Sequence, residues 1–135
     1  MKKIFIDTGA FLAKEITNDQ HHSEAVNFWH TLVENRVTLY SSEHVLDEAM
    51  TLLARRTNYS WAALWGQEAL ASGISWLRAE EKDWAGAMRN MQKFADQGVS
   101  FTDCVSFVLM RRQGLRDVFG FDRHFSAAGF RMRNS

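Results

Sequence analysis

Asp7, Glu48, Asp103 and Asp122 are four acidic residues spread over more than a hundred positions, and each stands where an α/β fold aims a side chain at one common point. Asp7 ends the apolar run Ile4-Phe5-Ile6, and Asp122 ends the run Val118-Phe119-Gly120-Phe121. Asp103 opens a helical stretch, and Glu48 lies on the apolar stripe of another. Carboxylates at strand ends and at a helix start meet in the crevice beyond the carboxyl edge of a parallel sheet. At about 5 Å and an effective dielectric near 20, each ionised pair repels by roughly 3 kcal/mol. Such a cluster takes up protons or binds a hard cation, and oxygen donors favour Mg²⁺ or Mn²⁺.

Each acid also has an ordinary structural explanation. A helical Glu is usually solvated, but Glu48 follows Val45 by three residues and precedes Leu52 by four, so it shares the inward stripe of Val45, Ala49, Leu52 and Leu53. Glu43 and Asp47 flank that stripe and fit a solvated face. Asp103 follows Ser100 at the spacing of a capping box, which accounts for both residues by amide capping alone. A helix N-terminus also stabilises the ionised carboxylate that a metal needs. Asp7-Thr8-Gly9 and Phe121-Asp122-Arg123 read as strand exits. Thr8 adds a hydroxyl beside Asp7 that can orient a water molecule, or simply cap a helix. The joint placement of all four acids favours the chemical reading. His21 and His22 precede Ser23 at a helix start, where capping and exposure explain them, and no second His stands at ligand spacing. Cys104 sits with Phe107 and Val108 and reads as a core thiol. Glycine-rich phosphate loops and a Gly-x-Ser-x-Gly elbow are absent.

The elements that must carry these residues alternate. Lys2–Asp7 reads as a buried strand, 8–14 as a short helix, and 21–35 as a helix with Ala25, Phe28, Trp29 and Leu32 at helical spacing. Thr38–Ser41 is a strand, after which Ser41 or Ser42 caps a helix reaching about Arg56. A helix with Trp61, Leu64, Trp65 and Leu70 ends at Gly73, and Ile74–Arg78 is the third strand. Helices over 81–96 and 101–113 follow, then strands over Asp117–Phe121 and Phe130–Arg133. This alternation predicts right-handed crossovers and a three-layer α/β/α fold on a mostly parallel sheet of about five strands.

Bulk properties narrow the class. A chain of 135 residues with 46% hydrophobic content suits a single domain over 1–135. Sixteen basic and sixteen acidic residues cancel, so net charge argues neither for nor against nucleic acid. One cysteine excludes an internal disulfide and a Cys-based zinc site, and fits a reducing cytoplasm. Met1-Lys2-Lys3 leads into an apolar run too short for a secretion signal, and no stretch is apolar enough for a membrane span. The basic residues are uneven. Arg111, Arg112, Arg116, Arg123, Arg131 and Arg133 crowd the last stretch against only Asp117 and Asp122, while Arg55 and Arg56 close the Glu48 helix. An acidic pit in a basic surround suits phosphodiester chemistry, with Arg55, Arg56, Arg112 and Arg123 as candidates for flanking phosphates.

Ile6-Asp7-Thr8, Val45-Leu46-Asp47-Glu48, Ser100-Phe101-Thr102-Asp103 and Phe121-Asp122-Arg123-His124-Phe125 together resemble, in order and spacing, the four motifs of PIN-domain ribonucleases, and among them the VapC-type toxins of toxin–antitoxin modules. The stretch from Asp19 through His22 to Ala25 resembles the family's segment before its second helix. The resemblance implies that Asp7, Glu48, Asp103 and Asp122 form an acidic metal-binding set, that RNA is the substrate of a divalent-metal-dependent endonuclease, and that a cognate antitoxin blocks the site. A homodimer is expected. Asp7 and Asp103, with short side chains at a strand end and a helix start, are the expected direct ligands of Mg²⁺ or Mn²⁺; Glu48 and Asp122 complete the set. Trp61 and Trp65, with Leu64 at helical spacing, are either core or the lining of an antitoxin groove. A PIN nuclease of RNA processing, a DNA nuclease of the same chemistry and a non-catalytic RNA- or partner-binding domain remain alternatives.

Overall fold

Three consecutive residues, Ile4, Phe5 and Ile6, are completely inaccessible to solvent. Successive side chains of a strand point to opposite faces, so a strand buried at every position must be covered on both sides. The computed structural model, which describes residues 1–135, shows that arrangement. Its order is β1 (Lys3–Ile6), α1 (Thr8–Glu15), α2 (His22–Glu34), β2 (Thr38–Ser42), α3 (Glu43–Arg56), α4 (Tyr59–Ala71), β3 (Ser75–Leu77), α5 (Glu81–Lys93), α6 (Phe101–Gln113), β4 (Asp117–Phe119), α7 (His124–Ala127) and β5 (Arg131–Arg133). The sheet is wholly parallel, in the order β3-β2-β1-β4-β5. The chain winds outward from β1 through β2 to β3, then returns to the other side of β1 as β4 and β5. The reversal lies between β1 and β4, and the crevice beyond their carboxyl ends is where such sheets hold ligands.

Local signals explain the boundaries. Ser42 caps α3 by accepting from the Val45 amide at 3.0 Å, and Asn58 caps α4 by accepting from the Trp61 amide at 2.8 Å. Gly114 ends α6 in the left-handed conformation with φ 70°, which a side chain rarely adopts. The buried Ser41 hydroxyl donates to the Ile6 carbonyl at 2.7 Å and locks β2 beside the end of β1.

Sequence and structure differ at the end of the chain. The strand expected over Asp117–Phe121 stops at Phe119. Gly120 passes the Asp7 side chain so closely that an added Cβ would lie 3.3 Å from the Asp7 Cβ. The Asp122 carboxylate then accepts from the His124 amide at 2.9 Å and turns the backbone into α7, a four-residue helix with no periodicity to betray it. Helix α5 ends at Lys93, and a separate 3₁₀ turn covers Ala95–Gln97. No helix is long and apolar enough to cross a membrane.

Candidate active site

The Asp7 amide donates to the Phe119 carbonyl at 3.0 Å, tying the end of β1 to β4. Its own carbonyl accepts from Ala10 and Phe11, so the backbone of Asp7 starts α1 and its carbonyl is not part of the acidic site. That carboxylate is buried, and Oδ1 has no hydrogen-bond partner; the buried Thr8 hydroxyl has none either. Asp103 is buried on the first turn of α6. Its amide donates to the Ser100 hydroxyl at 3.1 Å. The reciprocal half of a capping box is missing, because the Asp103 carboxylate turns instead to His124, with Oδ2 at 3.6 Å from Nδ1. The same Nδ1 lies 3.2 Å from Oδ1 of Asp122. One donor atom each from Asp103, Asp122 and His124 falls within 4.8 Å of the others. Glu48 is half-buried at the margin of the α3 stripe, in an open groove of about 300 Å³ with His44, Thr51, Arg55 and Thr102.

Electrostatics ties the four acids together. Burial above all pushes the Asp7 carboxyl well above its ordinary value of 3.8, and the charges of Asp103, Asp122 and Glu48 push it further, against one backbone hydrogen bond from Thr8. Asp103 is raised to about 7, first by burial, then by Asp122 and Glu48, with His124 opposing. Glu48 and Asp122 thus act on both buried acids. Unpartnered buried oxygens are costly. Here Asp103, Asp122 and His124 form the tight group, Asp7 and Glu48 lie near enough to act on it by charge, and these hard donors fit a divalent cation of the Mg²⁺ or Mn²⁺ class. Asp7, Asp103, Asp122 and Glu48 would hold it. His124 was missed among the histidines because its ligand spacing is set by α7.

The other candidates separate. Arg55 stands in the Glu48 groove, and Arg56 and Arg123 are exposed with no ion-pair partner. Arg112 is tied up elsewhere: at the far end of α6 from Asp103 it donates to the Asp83 carboxylate, which is buried, and to the Arg78 carbonyl at 3.0 Å. It clamps α5 to α6, and an engaged guanidinium is not offered to phosphate. Arg131 and Arg133 share Asp117 at 3.3 and 3.1 Å, and Arg111 donates to the Ala128 carbonyl and covers the Phe130 ring. The basic excess of the last stretch is therefore largely spent within the protein. Trp65 is buried, edge-on to Phe11 with centroids 5.5 Å apart, and Trp61 is half-buried. Both line a groove of about 460 Å³ with Phe11, Lys14, Trp29 and Leu64. His21 does not cap α2 with its side chain, as its position suggested; its ring stacks on Phe121 at 4.2 Å, and the His22 ring bonds the Ala13 carbonyl at 2.7 Å.

The family model of the PIN domain matches residues 4–131. The chain belongs to the PIN-domain family. Among PIN proteins it is 31% identical over 131 residues to the 23S rRNA-specific endonuclease VapC20 of Mycobacterium tuberculosis, covering 94% of this chain and 95% of that one. The crystal structure of VapC20, described as a sarcin–ricin loop cleaving toxin, matches with a TM-score of 0.84 at 30% identity, over 94% of this chain and 95% of that one. VapBC2 of Rickettsia felis, bound to a promoter DNA fragment, matches over 98% of each chain with a TM-score of 0.72 at 11% identity, which shows the PIN fold alone.

Proposed function

We propose that this PIN protein is a divalent-metal-dependent endoribonuclease that hydrolyses RNA phosphodiester bonds, and that it is the toxin of a toxin–antitoxin pair. The observation that carries the reading is the buried Asp7 carboxylate, its Oδ1 without a hydrogen-bond partner, within range of the charges of three further acids at the switch point of the sheet. A bound divalent cation would neutralise the scissile phosphate and activate water for attack near neutral pH. The chain's own residues do the rest. Asp7 and Asp103 are positioned by the end of β1 and the start of α6, Glu48 and Asp122 complete the set, and Thr8 Oγ1 stands free beside Asp7 to orient water. Arg55 and Arg123 border the site and offer charge to neighbouring phosphates. The 23S rRNA specificity of the 31%-identical relative supports a ribosomal RNA loop as the substrate. The 30%-identical VapC20 is described as a toxin, which supports an antitoxin partner, and the groove over Trp61 and Trp65 offers an apolar segment a seat.

The test is cleavage of a hairpin RNA carrying the sarcin–ricin loop, and of intact ribosomes, with Mg²⁺ or Mn²⁺ and with EDTA. Cleavage is expected with metal, and none in EDTA or from Asp7→Asn, whose amide is isosteric but a poor ligand. Full activity in EDTA, or in the variant, refutes the reading.

A further inference from the structure

The acidic pit repels a phosphodiester until a cation neutralises it, and four of the six arginines of the last stretch, Arg111, Arg112, Arg131 and Arg133, are engaged within the protein. Affinity for RNA must then come partly from groups other than charge. Beside Glu48, three aromatic rings meet, one each from α3, α5 and α6. His44 lies one turn before Glu48 on α3 and lines the same groove. Phe101 opens α6, two residues before Asp103, and Trp84 lies on the first turn of α5. Trp84 stands 5.1 Å from His44 and 5.3 Å from Phe101, centroid to centroid, and His44 stands 6.3 Å from Phe101. The indole is nonetheless 41% exposed. A large apolar ring left in water is unremarkable alone, but this one belongs to a cluster of aromatics continuous with the catalytic groove. A second aromatic pair, His21 stacked on Phe121, adjoins Asp122, so two different acids of the site each have an aromatic surface at their side.

We propose that His44, Trp84 and Phe101 form a stacking platform for one unpaired nucleobase next to the scissile phosphate. The substrate is then RNA whose bases are splayed out in a loop or single strand, because a regular duplex keeps its bases stacked and buried. The proposal rests on the nuclease reading above and specifies the substrate of that site. A flat ring takes any base, so the platform adds affinity at one nucleotide and leaves sequence choice to other contacts.

The experiment is anisotropy of labelled sarcin–ricin hairpin RNA on the wild-type protein in Ca²⁺, an oxygen-seeking cation that neutralises the acidic pit, scored on RNA shown by gel to be uncut. It is repeated with an abasic site at each loop position in turn and with a fully paired duplex. Trp84→Leu keeps apolar bulk and loses the flat ring; it should weaken loop binding roughly tenfold, the effect of one lost base stack. Trp84→Phe should retain most of it, and His44→Ala should lose a part. One abasic position should cost the wild type the same factor and cost Trp84→Leu nothing further. Duplex binding should not change, and the slope of affinity against salt should stay at the wild-type value. Equal loop binding by wild type and Trp84→Leu, losses that add at every abasic position, or no loop binding by the wild type overturns the platform. Cleavage with Mn²⁺ is scored separately. RNA cutting with Trp84-independent binding leaves the nuclease standing and removes the platform, and Trp84-dependent binding without cutting does the reverse.

Discussion

Replacing Asp103 with Asn should make the metal-free protein more stable, although it removes a buried polar side chain's charge from the centre of the site. Asp103 is raised from an ordinary 3.8 to about 7 by burial and by Asp122 and Glu48. At 1.36 kcal/mol per unit, that gap corresponds to about 4 kcal/mol of cost for holding the ionised form in the fold. Because the folded value is the higher one, the folded state binds the extra proton. The stabilising effect of that proton is complete below 3.8 and lost as pH rises through about 7. At pH near 8 the wild type carries the whole penalty and Asn, which mimics the protonated acid in shape, carries none. The gain is bounded above by about 4 kcal/mol, since Asn forgoes the contact with His124 and the neighbouring acids share the relief. Urea titrations in EDTA between about pH 5 and pH 8 measure it. Asp103→Asn should exceed the wild type by more than about 1 kcal/mol at the upper end, roughly 3–5 °C in Tm for this length, with the gap closing towards low pH. A variant less stable than the wild type at high pH refutes the convergence of the four acids, whatever its activity.

Three further outcomes follow from the same geometry. Mg²⁺ or Mn²⁺ should raise the Tm of the wild type by mass action, by about 2.7 kcal/mol in stability at a hundredfold excess over Kd, and by more at pH 8 than at pH 6, because protons on Asp7 and Asp103 compete with the cation; scanning calorimetry with Asp7→Asn as control checks it. Arg112→Ala should destabilise the fold by roughly 3 kcal/mol, since it strands the buried Asp83 carboxylate, while RNA affinity measured on soluble protein stays unchanged. Trp61→Ala should weaken antitoxin binding by more than about 1 kcal/mol in calorimetric titration with cleavage kept, and a variant with wild-type affinity removes this groove as the antitoxin's seat.

The parallel sheet and its crossovers were legible because the signals are local and redundant. Apolar runs such as Ile4-Phe5-Ile6 alternate with helical stripes, and Ser42, Ser100, Gly73 and Gly114 punctuate them. Helix α7 was illegible because four residues hold barely one helical turn, and its start is an Asp122 side-chain bond to the His124 amide rather than a pattern. The arginines were legible as a composition and illegible as a surface. Nothing in the spacing of Arg112 and Asp83, which lie on different helices, announces that they pair, and a guanidinium is as good a clamp between helices as a phosphate ligand.

The acids at the site were legible for a reason that also explains their energetics. A carboxylate at the end of a wholly buried strand is expensive, and a fold optimised only for stability would place an apolar or small residue there. Asp7 and Asp103 both sit buried with raised proton affinity, and Asp7 Oδ1 lacks any partner to repay its desolvation. Gly120 accommodates the side chain, leaving room where a Cβ would stand 3.3 Å from the Asp7 Cβ. The surrounding structure holds the arrangement rigidly: the Asp7 amide is bound to Phe119, Ser41 is bound to Ile6, and Ser100 anchors the first turn of α6. Local rules are broken at one point and satisfied around it, which is how a site stores unfavourable charge until a ligand relieves it. His124 fits the same logic. Its Nδ1 is buried without a hydrogen bond, between two carboxylates, so in the metal-free fold it partly offsets their repulsion. Sequence spacing offers no hint of that role, because the short helix that aims the ring exists only once Asp122 has turned the chain.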